Sequence, residues 1–275
     1  MMKKKKLILF IHGFLGRDNT WGNFENLLSK HEKEIFTSYD VKFFDYPTAA
    51  LKSPTIQTLA RGLRTEINNR YLQYNEIILV CHSMGGLVAK QYLIDEIKIH
   101  KPKSLKVKKI IYYATPHLGT QLANYAKLVP NKQIEQMARD SEFIDSINTD
   151  NAVYQVEEYV CTKYVIAEDD NVVEKSSAQA YYTNSKSEML LGFGHIDCCK
   201  PSDDMEDIRY LVLKNFILFE ECEVVKLKDS KEPLIIQNHI GEGDNVVIKT
   251  VINKSVSIGG SSSGIIITGD NNTVG

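Results

Sequence analysis

An α/β architecture is what the apolar pattern of this chain predicts: a mostly parallel sheet of about six strands with helices on both faces. Three observations carry it. Short apolar runs alternate with helix-like segments over most of the 275 residues. The runs are rich in branched residues, as strands buried on both faces require. Polar, loop-borne residues follow the runs that end near Ile11, Cys81, Ala114, Ala167 and Leu191. Open α/β sheets gather their functional groups at those carboxyl ends.

Residues 7–11 read as the first buried strand, and a glycine-bearing loop, 12–22, follows. Residues 24–33 fit a helix, with Phe24, Leu27 and Leu28 on one side. A second strand spans 39–45 and closes on Tyr46-Pro47. Residues 56–72 show helical spacing at Ile56, Leu59, Leu63 and Ile67, with Ser53 or Thr55 as N-cap. A strand at 77–81 runs into Ser83, and a helix over 84–97 runs out. A strand at 109–114 breaks at Thr115-Pro116. Residues 122–147 read as helical in at least two pieces, interrupted near Val129-Pro130. A strand at 159–167 ends in an acidic loop, residues 186–191 form the last core strand, and 208–222 the closing helix.

The predicted domain is residues 1–222, with a helical cap over about 118–151. Residues 223–275 differ in kind. They contain no aromatic residue and are rich in Ile, Val, Gly, Asn and Ser from 234 onward. A Gly-Asp-Asn element before apolar residues occurs twice, at Gly243 and Gly269, which suggests turns between short strands. Such strands need a partner edge. The tail therefore reads as a linker and a small β module for association with a second copy or a partner protein, through residues 234–275, with a floppy tail as the other reading.

Composition narrows the function classes. The net charge of -2 carries no basic bias, so nucleic acid is not a favoured partner. The start, Lys3 to Lys6 followed by Leu7 to Ile11, imitates a signal peptide, but five apolar residues are too few for one. No stretch approaches the ~18 apolar residues of a membrane span; the lysine cluster allows peripheral contact with anionic lipid. Five cysteines (Cys81, Cys161, Cys198, Cys199, Cys222) with no C-x-x-C pair suggest neither a zinc ribbon nor a disulfide framework. Reduced thiols in a cytoplasmic protein are the expectation, with no cofactor and no metal.

The chemistry centres on Cys81-His82-Ser83-Met84-Gly85-Gly86. A strand, a sharp turn and a helix put Ser83 at an apex, with its hydroxyl free above the sheet. The common spelling is G-x-S-x-G; here Cys81 takes the first glycine's place. A serine hydroxyl needs a base, and the base a carboxylate to orient it. In such folds the order is Ser, acid, His. Among the seven histidines, His195 follows the last core strand within Gly192-Phe193-Gly194-His195. His117 comes too early, His100 sits among lysines, His239 lies in the tail, and His82 points elsewhere on the turn. The acid belongs in Glu168-Asp169-Asp170-Asn171-Val172-Val173. Asp170 is the first choice, because the two valines anchor its loop; Asp169 is second and Glu168 third. Two backbone N–H groups should meet an oxyanion: that of Met84, and that of Phe14 (or Leu15) in the loop after the first strand. Gly13 and Gly16 let this loop turn, and His12 braces it. No G-x-G-x-x-G or Walker sequence is present, which disfavours nucleotides.

Three segments, Phe10-Ile11-His12-Gly13-Phe14-Leu15-Gly16, Cys81-His82-Ser83-Met84-Gly85-Gly86 and Ala114-Thr115-Pro116-His117-Leu118-Gly119, resemble the α/β-hydrolase superfamily. More narrowly they look like its lipase-like branch, with the SERAC and PGAP esterases and bacterial NACHT-associated hydrolase domains. Asp170-Asn171-Val172-Val173 and His195-Ile196-Asp197-Cys198-Cys199-Lys200-Pro201 match the acid and histidine segments of that branch. The likeness covers about residues 5–220. It implies an α/β-hydrolase fold with Ser83 as nucleophile, Asp170 as acid, His195 as base and Phe14 and Met84 as oxyanion donors, with Gly85 shaping the turn. It implies ester substrates, often acylglycerols or phospholipids. The tail is similar in composition to segments of bacterial immune-type effectors. The expected function is thus a serine esterase or lipase. The alternative is a non-catalytic scaffold assembled through the tail. Apolar positions of the cap (Leu122, Tyr125, Leu128, Ile134, Met137, Phe143, Ile144, Ile147) either line an acyl site or pack onto the body.

Overall fold

The computed structural model describes residues 6–30, 33–48, 53–100, 102–121, 131–180 and 186–219. They fall within one compact unit, Met1–Val225. The domain boundary expected at residue 222 and the β tail lie outside the described residues.

Six strands form one sheet: β1 (Lys6–Ile11), β2 (Tyr39–Phe44), β3 (Glu76–His82), β4 (Val107–Tyr113), β5 (Cys161–Ala167) and β6 (Ser187–Leu190). Their order is β2-β1-β3-β4-β5-β6, and every pair is parallel. The chain moves outward from β1 to β2, then returns to the other side of β1 to lay down β3. That reversal opens a crevice between the carboxyl ends of β1 and β3, where ligands of open α/β sheets bind. Ile11 on β1 pairs with Cys81 on β3, so both loops leave the sheet at the same level.

Alternation along the strands builds two cores. Leu7, Leu9 and Ile11, with Ile77, Leu79 and Cys81, face one cluster. Ile8 and Phe10, with Ile78 and Val80, face the other. Helices α3 (Ile56–Arg70) and α4 (Met84–Ile99) cover the first; α1 (Phe24–Lys30) and α7 (Ile208–Leu218) cover the second. In α3 the buried residues Ile56, Leu59, Leu63 and Ile67 make one stripe, and Thr55 caps the helix by accepting from Thr58 N at 3.2 Å. Each fully buried Leu or Ile contributes about 1.5–3 kcal/mol against exposure.

Two local expectations change. The single helix over 24–33 is two, α1 and α2 (Lys33–Ser38), because Phe24, Leu27 and Leu28 pack from the first while Ile35 alone is buried in the second. The cap segment contains α5 (Lys132–Met137) and α6 (Glu142–Tyr154). Met137, Phe143, Ile144 and Ile147 there are buried in the same cluster as α4, so for them packing onto the body replaces the acyl-site reading. Leu122, Tyr125 and Leu128 lie outside the described residues. Among the described residues, Cys81, Cys198 and Cys199 are free and buried. Among the described residues no helix is long and apolar enough to cross a membrane.

Candidate active site

Ser83 joins β3 to α4 with φ 52° and ψ -127°. A positive φ at a non-glycine residue is a strained turn, costing on the order of 1–3 kcal/mol. Close packing on every side holds it. A Cβ on Gly85 would strike the carbonyl oxygens of Ile11 and His12, and one on Gly86 the Thr115 side chain. Ser83 N donates to Tyr113 O at 2.9 Å, tying the turn to β4. Cys81, where a glycine is more common, is fully buried on β3 with room for its side chain.

The hydroxyl meets an imidazole. His195 Nε2 lies 3.0 Å from Ser83 Oγ, and His195 Nδ1 lies 2.8 Å from Asp170 Oδ2. Asp170 Oδ1 accepts from the amides of Val172 and Val173, each at 2.8 Å. Val173 is buried and Val172 packs beside it, so the loop is anchored by its side chains and wired by its main chain. Burial pushes the Asp170 carboxyl up; the His195 hydrogen bond and charge, with the two amides, outweigh it and leave the group below its ordinary value. Burial pushes His195 down. The Asp170 hydrogen bond opposes this, His82 adds to it, and the imidazole stays below its ordinary 6.5. The ring is therefore neutral at pH 7, with Nδ1–H donated to Asp170 and the Nε2 lone pair open to the Ser83 hydroxyl. Of the other two acids, Asp169 is exposed and Glu168 pairs with Lys175 at 2.8 Å.

The loop after β1 abuts the same hydroxyl. A Cβ on Gly13 would come within 2.8 Å of Ser83 Cβ, so only glycine permits this approach. Gly16 N closes the loop on Gly13 O at 3.1 Å. His12 Nδ1 lies 2.9 Å from Gly13 O, its ring stacks on Tyr46 at 4.1 Å, and Tyr46 Oη donates to His12 O. Phe14 follows directly. Met84 N–H belongs to the first turn of α4, where amides have no intrahelical acceptor.

Residues 1–131 match a family described as a domain of unknown function (DUF7379). Protein SERAC1 of Danio rerio is 27% identical over 177 residues, 51% of this chain and 27% of that protein. The match thus spans about a quarter of the length of the curated relatives. Phospholipase PlaB from Legionella pneumophila superposes with a TM-score of 0.51 at 18% identity, over 60% of this chain and 39% of PlaB. Bacillus licheniformis lipase BlEst2 superposes with a TM-score of 0.53 at 19% identity, over 70% of this chain and 85% of the lipase. The chain has the α/β-hydrolase fold. It is similar in sequence to SERAC1 and in fold to a lipase and a phospholipase.

Among the described residues, His100 and His117 are set apart from Ser83, whereas His82 is not. His100 is exposed, 4.0 Å from Glu96. His117 is buried, edge-on to Tyr112 and Tyr164, with neither ring nitrogen hydrogen-bonded. His82 does not point away as expected: its Nε2 lies 2.8 Å from His195 O, and the two rings are 4.9 Å apart. It therefore positions the His195 loop. Sequence spacing held no sign of this, since the contact bridges β3 and the loop after β6. A 300 Å³ recess beside α6, lined by Asn148, Gln155 and Glu157 among others, shares no residue with the Ser83 site.

Proposed function

We propose that this α/β-hydrolase cleaves carboxylic esters, lipid or phospholipid acyl esters foremost, through an acyl-enzyme on Ser83. The observation that supports it most is the continuous hydrogen-bonded line from Ser83 Oγ through His195 to Asp170. His195 Nε2 takes the hydroxyl proton as Ser83 Oγ attacks the carbonyl carbon. Asp170 holds the imidazole in the required tautomer and stabilises the imidazolium. The oxyanion meets the N–H groups of Met84 and Phe14, each donor worth roughly 10²–10³ in rate. Collapse expels the alcohol, which takes its proton from His195. A water, activated by the same nitrogen, then releases the acid. Every step uses groups of this chain and water.

Two observations support an apolar substrate. Leu15, Leu191 and Ile196 expose 58%, 73% and 55% of their surface on or beside the loops that carry Phe14 and His195. The neighbours BlEst2 and PlaB are named a lipase and a phospholipase. Hydrolysis of short-chain and long-chain esters and of phospholipid vesicles tests the reading. Wild type should release acid, and Ser83→Ala should lose activity by at least about 10⁴-fold. Equal activity in both would overturn it.

A further inference from the structure

Just beyond His195, the short turn Asp197–Cys199 buries two adjacent thiols. The sulfurs of Cys198 and Cys199 and a ring nitrogen of His82 lie within 4.8 Å of one another. Ester cleavage uses neither thiol, and their present contacts are weak. Cys198 Sγ donates to His195 O at 3.2 Å; Cys199 Sγ donates to Ile196 O at 3.3 Å and Thr20 O at 3.4 Å. His82, only 5% exposed, spends Nε2 on His195 O and leaves Nδ1 without a hydrogen bond.

We propose that His82, Cys198 and Cys199 form a binding site for a thiophilic cation of the zinc type. Donor chemistry argues for it: imidazole nitrogen and thiolate sulfur suit zinc, whereas magnesium and calcium require oxygen. Size agrees as well. Bonds of about 2.0–2.3 Å put tetrahedral ligands about 3.5–3.8 Å apart, so the cluster closes by about 1 Å. Charge also balances. Two thiolates neutralise a divalent ion, so the loaded site is neutral and its burial carries no net charge. On binding, both thiol protons leave to solvent. Three protein ligands leave one tetrahedral position for water or a carbonyl.

The site has a consequence for His195. Cys198 and His82 both donate to its carbonyl, and its Nε2 faces Ser83 Oγ. Recruiting those two donors to a cation re-aims the loop, so loading should depress turnover. This consequence rests on the ester-hydrolysis reading; binding itself does not.

Cobalt titration of the full chain, stripped with chelator under a phosphine reductant, tests it. The expected result is one equivalent bound, with an intense sulfur-to-cobalt absorption that zinc abolishes. The double variant Cys198→Ser/Cys199→Ser, and His82→Gln, should bind more than about tenfold more weakly. His100→Gln should bind as wild type does. No charge-transfer band from wild type, or an unchanged band in the double variant, would overturn the site. Should the variants fail to fold by circular dichroism, the wild-type spectrum decides alone. Binding without loss of ester turnover would overturn only the coupling to His195.

Discussion

Opposed forces act on His195, and their balance fixes a pH dependence. Burial favours the neutral ring, Asp170 favours the charged one, and burial wins. The active form is neutral, so kcat/KM should rise with pH along a limb whose midpoint lies below the ordinary 6.5. A midpoint above 7 would contradict this balance. Asp170→Asn should keep the fold and cut kcat by about 10⁴-fold, because the amide cannot hold the Nδ1–H tautomer; ester turnover with a circular dichroism control checks it. His117 makes a separate prediction about stability. Burial, with the Lys90 charge, keeps it well below its ordinary value. Below 6.5 the unfolded chain binds a proton that the folded chain refuses, so stability rises with pH toward 6.5 and then levels. One such proton accounts for up to about 1.4 kcal/mol per pH unit. His117→Phe, which keeps a ring between Tyr112 and Tyr164, should flatten that slope in urea unfolding at pH 5 to 7. An unchanged slope would assign the acid sensitivity to other groups.

At the scale of elements, the start of α4 seats directly on the end of β1. Gly85→Ala pushes a methyl into two backbone carbonyls, which no side-chain rotation relieves. It should cost about 1–3 kcal/mol of stability and disturb the Ser83 turn; denaturant melts and ester turnover measure both. Strands were the most legible elements, because a doubly covered sheet writes each as an uninterrupted apolar run. The Ser83 turn and the Asp170 loop were legible because each is local: the two valines after Asp170 both pack and donate. What escaped is non-local. The His82 contact with the His195 carbonyl, and the meeting of His82 with Cys198 and Cys199, join the sheet's third strand to the loop after its sixth. Periodicity reports which residues are buried, not which distant neighbour they meet. The apolar excess of α5 and α6 was equally silent on its partner, which for Met137, Phe143, Ile144 and Ile147 is the core cluster that α4 also enters.

For the whole molecule, parallel strand order brings the carboxyl ends of six strands to one edge, and the Ser83, Asp170 and His195 side chains arrive there from the loops after three of them. Residues 226–275 lie beyond that unit. Their turn-rich apolar composition leads us to propose assembly as their role. A chain ending at Val225 should then scatter light as a smaller particle than the full chain; an unchanged number of copies per particle would refute it. The central claim is that Ser83 is a nucleophile activated by its neighbours. Incubation with a fluorophosphonate, followed by peptide mass spectrometry, measures that directly. A single adduct on Ser83 is the predicted result, absent from Ser83→Ala and strongly slowed in His195→Ala. A folded wild-type chain that stays unlabelled, or carries its adduct on another residue, would contradict it.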